Sequence, residues 1–361
     1  MKKISNAFIV IILAIIFGFG SGILGFLIIG SNQSLMTFWG RLNISGDNSS
    51  NQIIIDRPRN VVVQEDIQLK QIQNDLLPAL VNIYSSSSKK SGSILDEINA
   101  KNNYAGQGFV LTANGWIVTV KSAIANPKGK YSAVGYENKQ YALENFIEDA
   151  NYKVEFVKTQ ANNLPVARLG AINDLEIGQT IVLISQRYNF SLGHIKRIGY
   201  DFGSPQDSVL SSDLIQREII LDTPLDASAS GAVVANLKGE IIGLVNAGKV
   251  IPIADFKSAI DQVLNGKKIT YPALQMQYVD LAQAEGLTEI GDKGAYVIAA
   301  TKDSPVFNIL KEGDIIKKVN DTELNAFVGL AEAISAYKSG DKVELLISRK
   351  GQDQSVEVVL K

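Results

Sequence analysis

Residues 225–245 read LDASASGAVVANLKGEIIGLV. Ser228 and Ser230 sit in a run of small residues, a glycine follows, and two apolar stretches come next, joined by a Lys-Gly pair. The pattern is a tight loop feeding a strand, a turn and a second strand. A loop of this kind presents a nucleophilic serine, and small residues also fill tight loops for reasons of fit alone. A nucleophilic hydroxyl needs a base, usually histidine, and this chain has one histidine in 361 residues. Ser230 is therefore either a nucleophile with an unusual base or a residue that persists because it fits.

The surrounding sequence repeats the strand signal. Across residues 76–265 short runs rich in Val, Ile, Phe and Tyr recur, among them GFVLTA, WIVTV, KVEFVK, TIVLISQ, GHIKRIGY, EIILDT and EIIGLVNAG, with Gly, Asn, Asp and Pro between them. Many short strands at this spacing predict a sandwich or barrels. IADFKSAIDQVLNG (253–266) alternates at helical period and ends on glycine, which predicts a closing helix. KKITYP then joins this part to residues 270–361, where FVGLAEAISAYKSG (327–340) predicts a helix and DKVELLISRKG and SVEVVLK predict two closing strands with a Lys-Gly turn.

Residues 7–30, AFIVIILAIIFGFGSGILGFLIIG, form an uncharged apolar run, long enough for the ~20 helical residues that cross a bilayer. Lys2 and Lys3 precede it, which predicts a cytoplasmic N-terminus (1–6) and export of the rest to the extracellular or periplasmic side. No A-x-A-like site follows in SNQSLMTF, so the run is read as an uncleaved anchor and not a signal peptide. Gly18 and Gly22 have GxxxG spacing, although glycine is common in such helices. Residues 31–75 are read as a stalk that contains one short helix before Pro78. The net charge of −2 excludes a strongly basic nucleic-acid surface. The absence of cysteine excludes disulfides and thiolate metal sites, and a single histidine argues against a zinc site; no cofactor is implied.

Four stretches in order resemble HtrA/Deg-type serine proteases. GQGFVLTANGWIVTVKSAI (106–124) is similar to the block that carries the family's catalytic histidine, and EDANYKVEFVKTQANNLPVARLGAINDLEIGQTIVLIS (148–185) to the block that carries its aspartate. LDASASGAVVANLKGEIIGLVNA resembles the nucleophile block, and VIPIADFKSAI the segment that closes the protease domain. SPVFNILKEGDIIKKVNDTEL (304–324) is similar to a PDZ signature. The resemblance implies a mainly β chain: a trypsin-like double β-barrel over 76–268, then an α/β PDZ domain over 269–361. It also implies peptide, unfolded-protein or envelope-protein partners and a homo-oligomer, a trimer in the family.

The family's nucleophile falls on Ser230, its histidine on Ser122 and its aspartate on Lys153; the oxyanion position falls on Ser228 and Ala229, with serine where the family has glycine. Ser122 is no base near neutral pH, Lys153 reverses the orienting charge, and a serine at 228 takes positive φ only at a cost. One oxyanion donor is worth about 2.7–4 kcal/mol. A lysine can serve as base when desolvation lowers its pKa, which keeps Lys153, and Lys121 just before the histidine's position, as alternatives; the plainer reading is two solvated lysines, with Glu148 and Asp149 holding Lys153 charged. His194 reads as an ordinary strand residue. The family's carboxylate-binding loop falls on Tyr271, Pro272, Ala273 and Leu274, followed by Gln275 and Met276 of the groove strand. Proline lacks an N–H and alanine replaces glycine there, which favours peptide binding by strand addition over capture of a C-terminal carboxylate. The sequence thus reads as a membrane-anchored pseudoprotease that binds or scaffolds proteins in the cell envelope. Two alternatives stand beside it: an active serine endopeptidase for envelope protein quality control that uses Ser230 with a lysine base, and a regulatory partner of a true HtrA oligomer.

Overall fold

The computed structural model describes residues 64–85, 103–172, 175–200, 204–226, 229–284, 293–326 and 328–361, together with Ile15, Phe17, Gly18 and Ser21. The expected span 7–30 therefore lies almost entirely outside the described residues. Among the described residues no helix is long and apolar enough to cross a membrane. All elements below belong to one compact unit, residues 62–361.

Helix α1 (Gln64–Leu76) opens this unit and runs into a short 3-10 turn, Leu77–Ala79, with Pro78 in its first turn. Proline there needs no N–H partner, since the first amides of a helical turn have none. Ile72 and Leu76 are each 1% exposed and pack with Leu80, Phe109 and Ile184. The helix expected before Pro78 is thus a packed one, because its i and i+4 apolar positions, Ile72 and Leu76, find the sheet.

The first sheet has seven strands in the order β5-β4-β1-β2-β3-β7-β6. They are β1 (Leu80–Ser85), β2 (Tyr104–Val110), β3 (Trp116–Val120), β4 (Tyr131–Gly135), β5 (Gln140–Ala142), β6 (Glu144–Asp149) and β7 (Val154–Lys158). All pairings are antiparallel, and Val81, Ile83, Val110, Ile117 and Val157 fill its own core. The second sheet contains β8 (Arg168–Leu169), β9 (Thr180–Ser185), β10 (Asn189–Gly199), β12 (Glu218–Leu221), β13 (Val233–Asn236), β14 (Glu240–Asn246) and β15 (Lys249–Pro252). Strand β13 pairs with both β9 and β14, so six of these strands close into a ring. Closure removes the exposed edges that an open sheet would leave. Between the two sheets lies a shared apolar layer with Phe109, Val118, Phe156, Ile184, Val233 and Ile241, covered by Ile260 and Val263 of α2 (Lys257–Leu264).

The third sheet is built by β16 (Met276–Asp280), β17 (Ala295–Ala300), β18 (Ile315–Val319), β19 (Thr322–Glu323), β20 (Lys342–Arg349) and β21 (Gln352–Val359), packed on α3 (Leu330–Ser335). Helix α3 is shorter than the stretch 327–340 suggests. The β20–β21 hairpin turns at Lys350 (φ 55°) and Gly351 (φ 80°), the positive-φ pair that a two-residue hairpin requires. A seventh strand comes from the preceding part of the chain. Strand β11 (Val209–Ser211) lies between β10 and β12 in sequence yet pairs antiparallel with the outer edge of β16.

Candidate functional site

Strand β3 ends at Val120 and passes into a 3-10 turn, Lys121–Ile124, that carries Ser122. Ser230 sits in the turn before β13. Its backbone is held from below: Gln107 N donates to Ser230 O at 2.8 Å, and Thr119 Oγ1 donates to Gln107 O at 2.6 Å. Gly231 follows at φ +75°, and a Cβ added there would lie 1.8 Å from Gln107 O. The loop thus approaches β2 so closely that only glycine fits after the serine.

Ser122 and Ser230, 108 residues apart in sequence, meet with their Oγ atoms 2.5 Å apart. Ser122 Oγ also donates to Asn246 Oδ1 at 2.8 Å, at the end of β14. With that proton committed, Ser230 donates to Ser122, and the chain of hydroxyls ends on an amide oxygen. An amide oxygen accepts a hydrogen bond and takes no proton at neutral pH. Ser230 is 8% exposed. Asn246 was absent from the expected site; it lies 16 residues past Ser230, and no local pattern distinguishes it from any strand-end asparagine.

Of the basic side chains considered as substitutes, Lys121 and His194 are engaged elsewhere. Lys121 Nζ pairs with Glu148 (2.8 Å) and Glu155 (3.3 Å). Burial disfavours its charged form, but the two carboxylates outweigh that and raise its pKa above the ordinary value, opposite to what a base requires. Burial in turn raises the Glu155 pKa, with Lys121 opposing. Lys153 is exposed, takes φ 56°, and its backbone oxygen receives Lys121 N at 2.7 Å. Of the two carboxylates expected to hold Lys153, Glu148 pairs with Lys121, and the charge of Lys153 acts on Asp149. Asp149 is buried and accepts from Tyr271 OH and from the amides of Asn151 and Tyr152. His194 pairs through Nδ1 with Asp222 at 2.8 Å on the exposed side of β10. Among the described residues, the side chain that hydrogen-bonds Ser230 Oγ is that of Ser122.

Ser228 lies outside the described residues. Ala229 is half-buried and its N–H donates to Asp226 O at 2.9 Å. A cleft of about 780 Å³ borders the centre and is lined by Lys153, Asn246, Arg217, Lys249 and Asp255 among others. Burial raises the Asp255 pKa well above the carboxylate range.

The six residues expected to hold a peptide occupy the start of the third sheet, and their polar groups are taken by this chain. Tyr271 OH donates to Asp149. Pro272 and Leu274 are buried, and Ala273 exchanges both backbone hydrogen bonds with Lys361 at 3.0–3.1 Å. Gln275, at φ 52°, donates its N–H to Asp213 Oδ1 at 2.8 Å, and Met276 N donates to Ser212 Oγ at 3.1 Å.

Residues 106–244 match the family profile of the trypsin-like peptidase domain, and residues 273–360 that of the PDZ domain. The chain is therefore a mainly β protein with a trypsin-like protease fold followed by a PDZ domain. In fold and domain order it is similar to proteins of the HtrA/DegP type. It is 26% identical over 275 residues to a probable periplasmic serine endoprotease DegP-like of Pseudomonas fluorescens, covering 71% of this chain and 56% of that one. To the same-named protein of Chlamydia muridarum it is 24% identical, over 71% of this chain and 53% of that one. The chain thus spans about half the length of these relatives. A solved structure described as HtrA-type protease AlgW with decapeptide shares the fold with a TM-score of 0.58 at 17% identity, covering 81% of this chain and 97% of that one.

Proposed function

We propose that this chain is an HtrA-like recognition protein of the cell envelope that binds extended peptide or unfolded-protein segments and does not hydrolyse them. The observation that carries this reading is the hydroxyl chain Ser230–Ser122–Asn246. Amide hydrolysis requires a group that accepts the serine proton and returns it to the leaving amine. Here the neighbouring group is a second hydroxyl backed by an amide, and loss of the base costs several orders of magnitude in rate. The PDZ domain supplies the recognition surface, and residues 7–30 attach the chain to the membrane with the bulk outside. The length of that run and the lysines before it support this topology. Assembly into a homo-oligomer, or with an intact HtrA oligomer, fits the same role.

The names of the relatives favour a second reading, in which the chain is itself a serine endopeptidase of envelope quality control. That reading requires Lys153 to swing from its exposed position to Ser230. Fluorophosphonate labelling of the full chain, with an intact HtrA protease alongside and cleavage of denatured casein as the second readout, separates the two. No labelling and no cleavage above a Ser230→Ala control is expected. Cleavage abolished by both Ser230→Ala and Lys153→Met would establish the endopeptidase instead.

A further inference from the structure

A PDZ groove is an open sheet edge beside a helix, and a peptide binds by adding a strand to that edge. In this chain the edge is already filled. Strand β11 pairs antiparallel with β16 in the register Val209↔Val279, Leu210↔Tyr278 and Ser211↔Gln277. The ladder continues beyond β11 through Ser212, whose N–H donates to Met276 O at 3.0 Å, while its Oγ accepts from Met276 N. Asp213 then places a carboxylate oxygen on the Gln275 amide. A bound peptide would offer that amide a carboxylate of its own.

The side chains follow the same plan. Leu210 is 2% exposed and packs into the apolar core of the third sheet with Leu274, Tyr278, Leu330 and Ile334. Ser212 is 1% exposed. At the two ends of this loop, Tyr200 and Arg217 both reach Glu332 of α3: Arg217 Nη2 lies 3.2 Å from Oε1, and Tyr200 OH donates to the same oxygen at 3.5 Å. The segment is therefore inserted between strand and helix and fastened on both sides, which a loop resting on a surface is not.

We infer that residues 209–213 are the intramolecular ligand of the PDZ groove, a strap that closes it, so that an extended peptide bearing an aliphatic side chain and a carboxylate enters only when the strap leaves. This rests on the peptide-recognition reading above and adds its regulation. A tethered ligand acts at an effective concentration in the millimolar range, and a site that is open for only a fraction of the time binds its ligand more weakly in proportion. The strap also joins the groove to the protease-fold part, because β12, the strand that leads toward the Ser230 loop, begins directly after Arg217.

The test uses the full chain and a fluorescent synthetic peptide with the sequence of residues 206–214. Two strap variants are compared with wild type: Leu210→Asp, and the double variant Ser212→Ala/Asp213→Ala, which leaves the apolar core intact should the first fail to fold. Amide hydrogen exchange at Gln275 and Met276 is measured in parallel. The strap predicts protected amides in wild type, faster exchange in the double variant, and peptide binding at least tenfold tighter in the variant. Equal affinities for wild type and variant, or unprotected amides in wild type, overturn it. Should neither form bind the peptide while protection is lost in the variant, the strap stands and the peptide-recognition reading falls.

Discussion

Replacement of Asp280 by asparagine should make the stability of this protein less dependent on pH, in a direction that the structure fixes. Asp280 ends β16 and is 5% exposed. Its Oδ1 accepts from Ala282 N at 3.0 Å. Burial is the largest influence on its carboxyl; the amides of Ala282 and Gln283 oppose it, Glu332 adds to it, and Arg217 opposes it, with a net pKa raised to about 6. Tyr200 and Tyr278 also face this group. The folded state thus binds the proton more tightly than the unfolded chain does. Above about pH 6 the carboxylate is charged in both states and its burial destabilises the fold in full. As pH falls toward 3.8 the folded state alone is protonated, and stability rises. A carboxyl raised from 3.8 to about 6 corresponds to roughly 3 kcal/mol. Asp280→Asn keeps the acceptor for Ala282 and removes the charge. Urea unfolding of wild type and variant should show the variant more stable by roughly 2–3 kcal/mol at pH 8, the gap closing toward pH 4. A difference that is flat across this range would refute the assignment, whatever its size.

Gly231→Ala should cost about 2–5 kcal/mol in urea unfolding, from left-handed backbone and from overlap with Gln107 O, both of which are backbone obstacles; a change below about 0.5 kcal/mol would contradict the close approach of the Ser230 loop to β2. Tyr271→Phe removes the hydroxyl from the buried Asp149 and should cost about 1–3 kcal/mol at neutral pH, with the loss shrinking in acid as the carboxyl protonates; a loss that persists undiminished at pH 4 would count against that bond. Lys121→Met strands Glu155, 1% exposed, and should destabilise by about 3 kcal/mol at neutral pH, read by thermal or urea unfolding; an unchanged midpoint would show the pair to be dispensable.

Much of the fold is legible in the sequence because it depends on local periodicity. The alternating runs mark most strands, IADFKSAIDQVLNG forms a 3-10 turn and then α2, and Lys350-Gly351 turns the last hairpin as its residue types require. The order of four protease-like motifs, with a PDZ signature after them, points to a trypsin-like fold followed by a PDZ domain, and matching family profiles cover both. Helix α1 is legible as a helix from its apolar spacing, but its burial is not, since that depends on where the sheets leave apolar surface uncovered.

The sequence alone determined which reagents are absent: with no cysteine a thiol nucleophile is excluded, and with one histidine His194 is the single imidazole in the chain. What surrounds Ser230 was decided by tertiary structure. The contact of Ser122 with Asn246 joins the end of one sheet to a strand end of the other, and Lys121 is withdrawn by carboxylates from β6 and β7. The strap belongs to the same class. VLS at 209–211 is three residues long, too short for a periodic signal, and a strand's hydrogen-bonding edge is identical backbone whatever the side chains. Which strand lies beside it depends on which edge the rest of the fold leaves open within reach, and no local pattern in the chain encodes that.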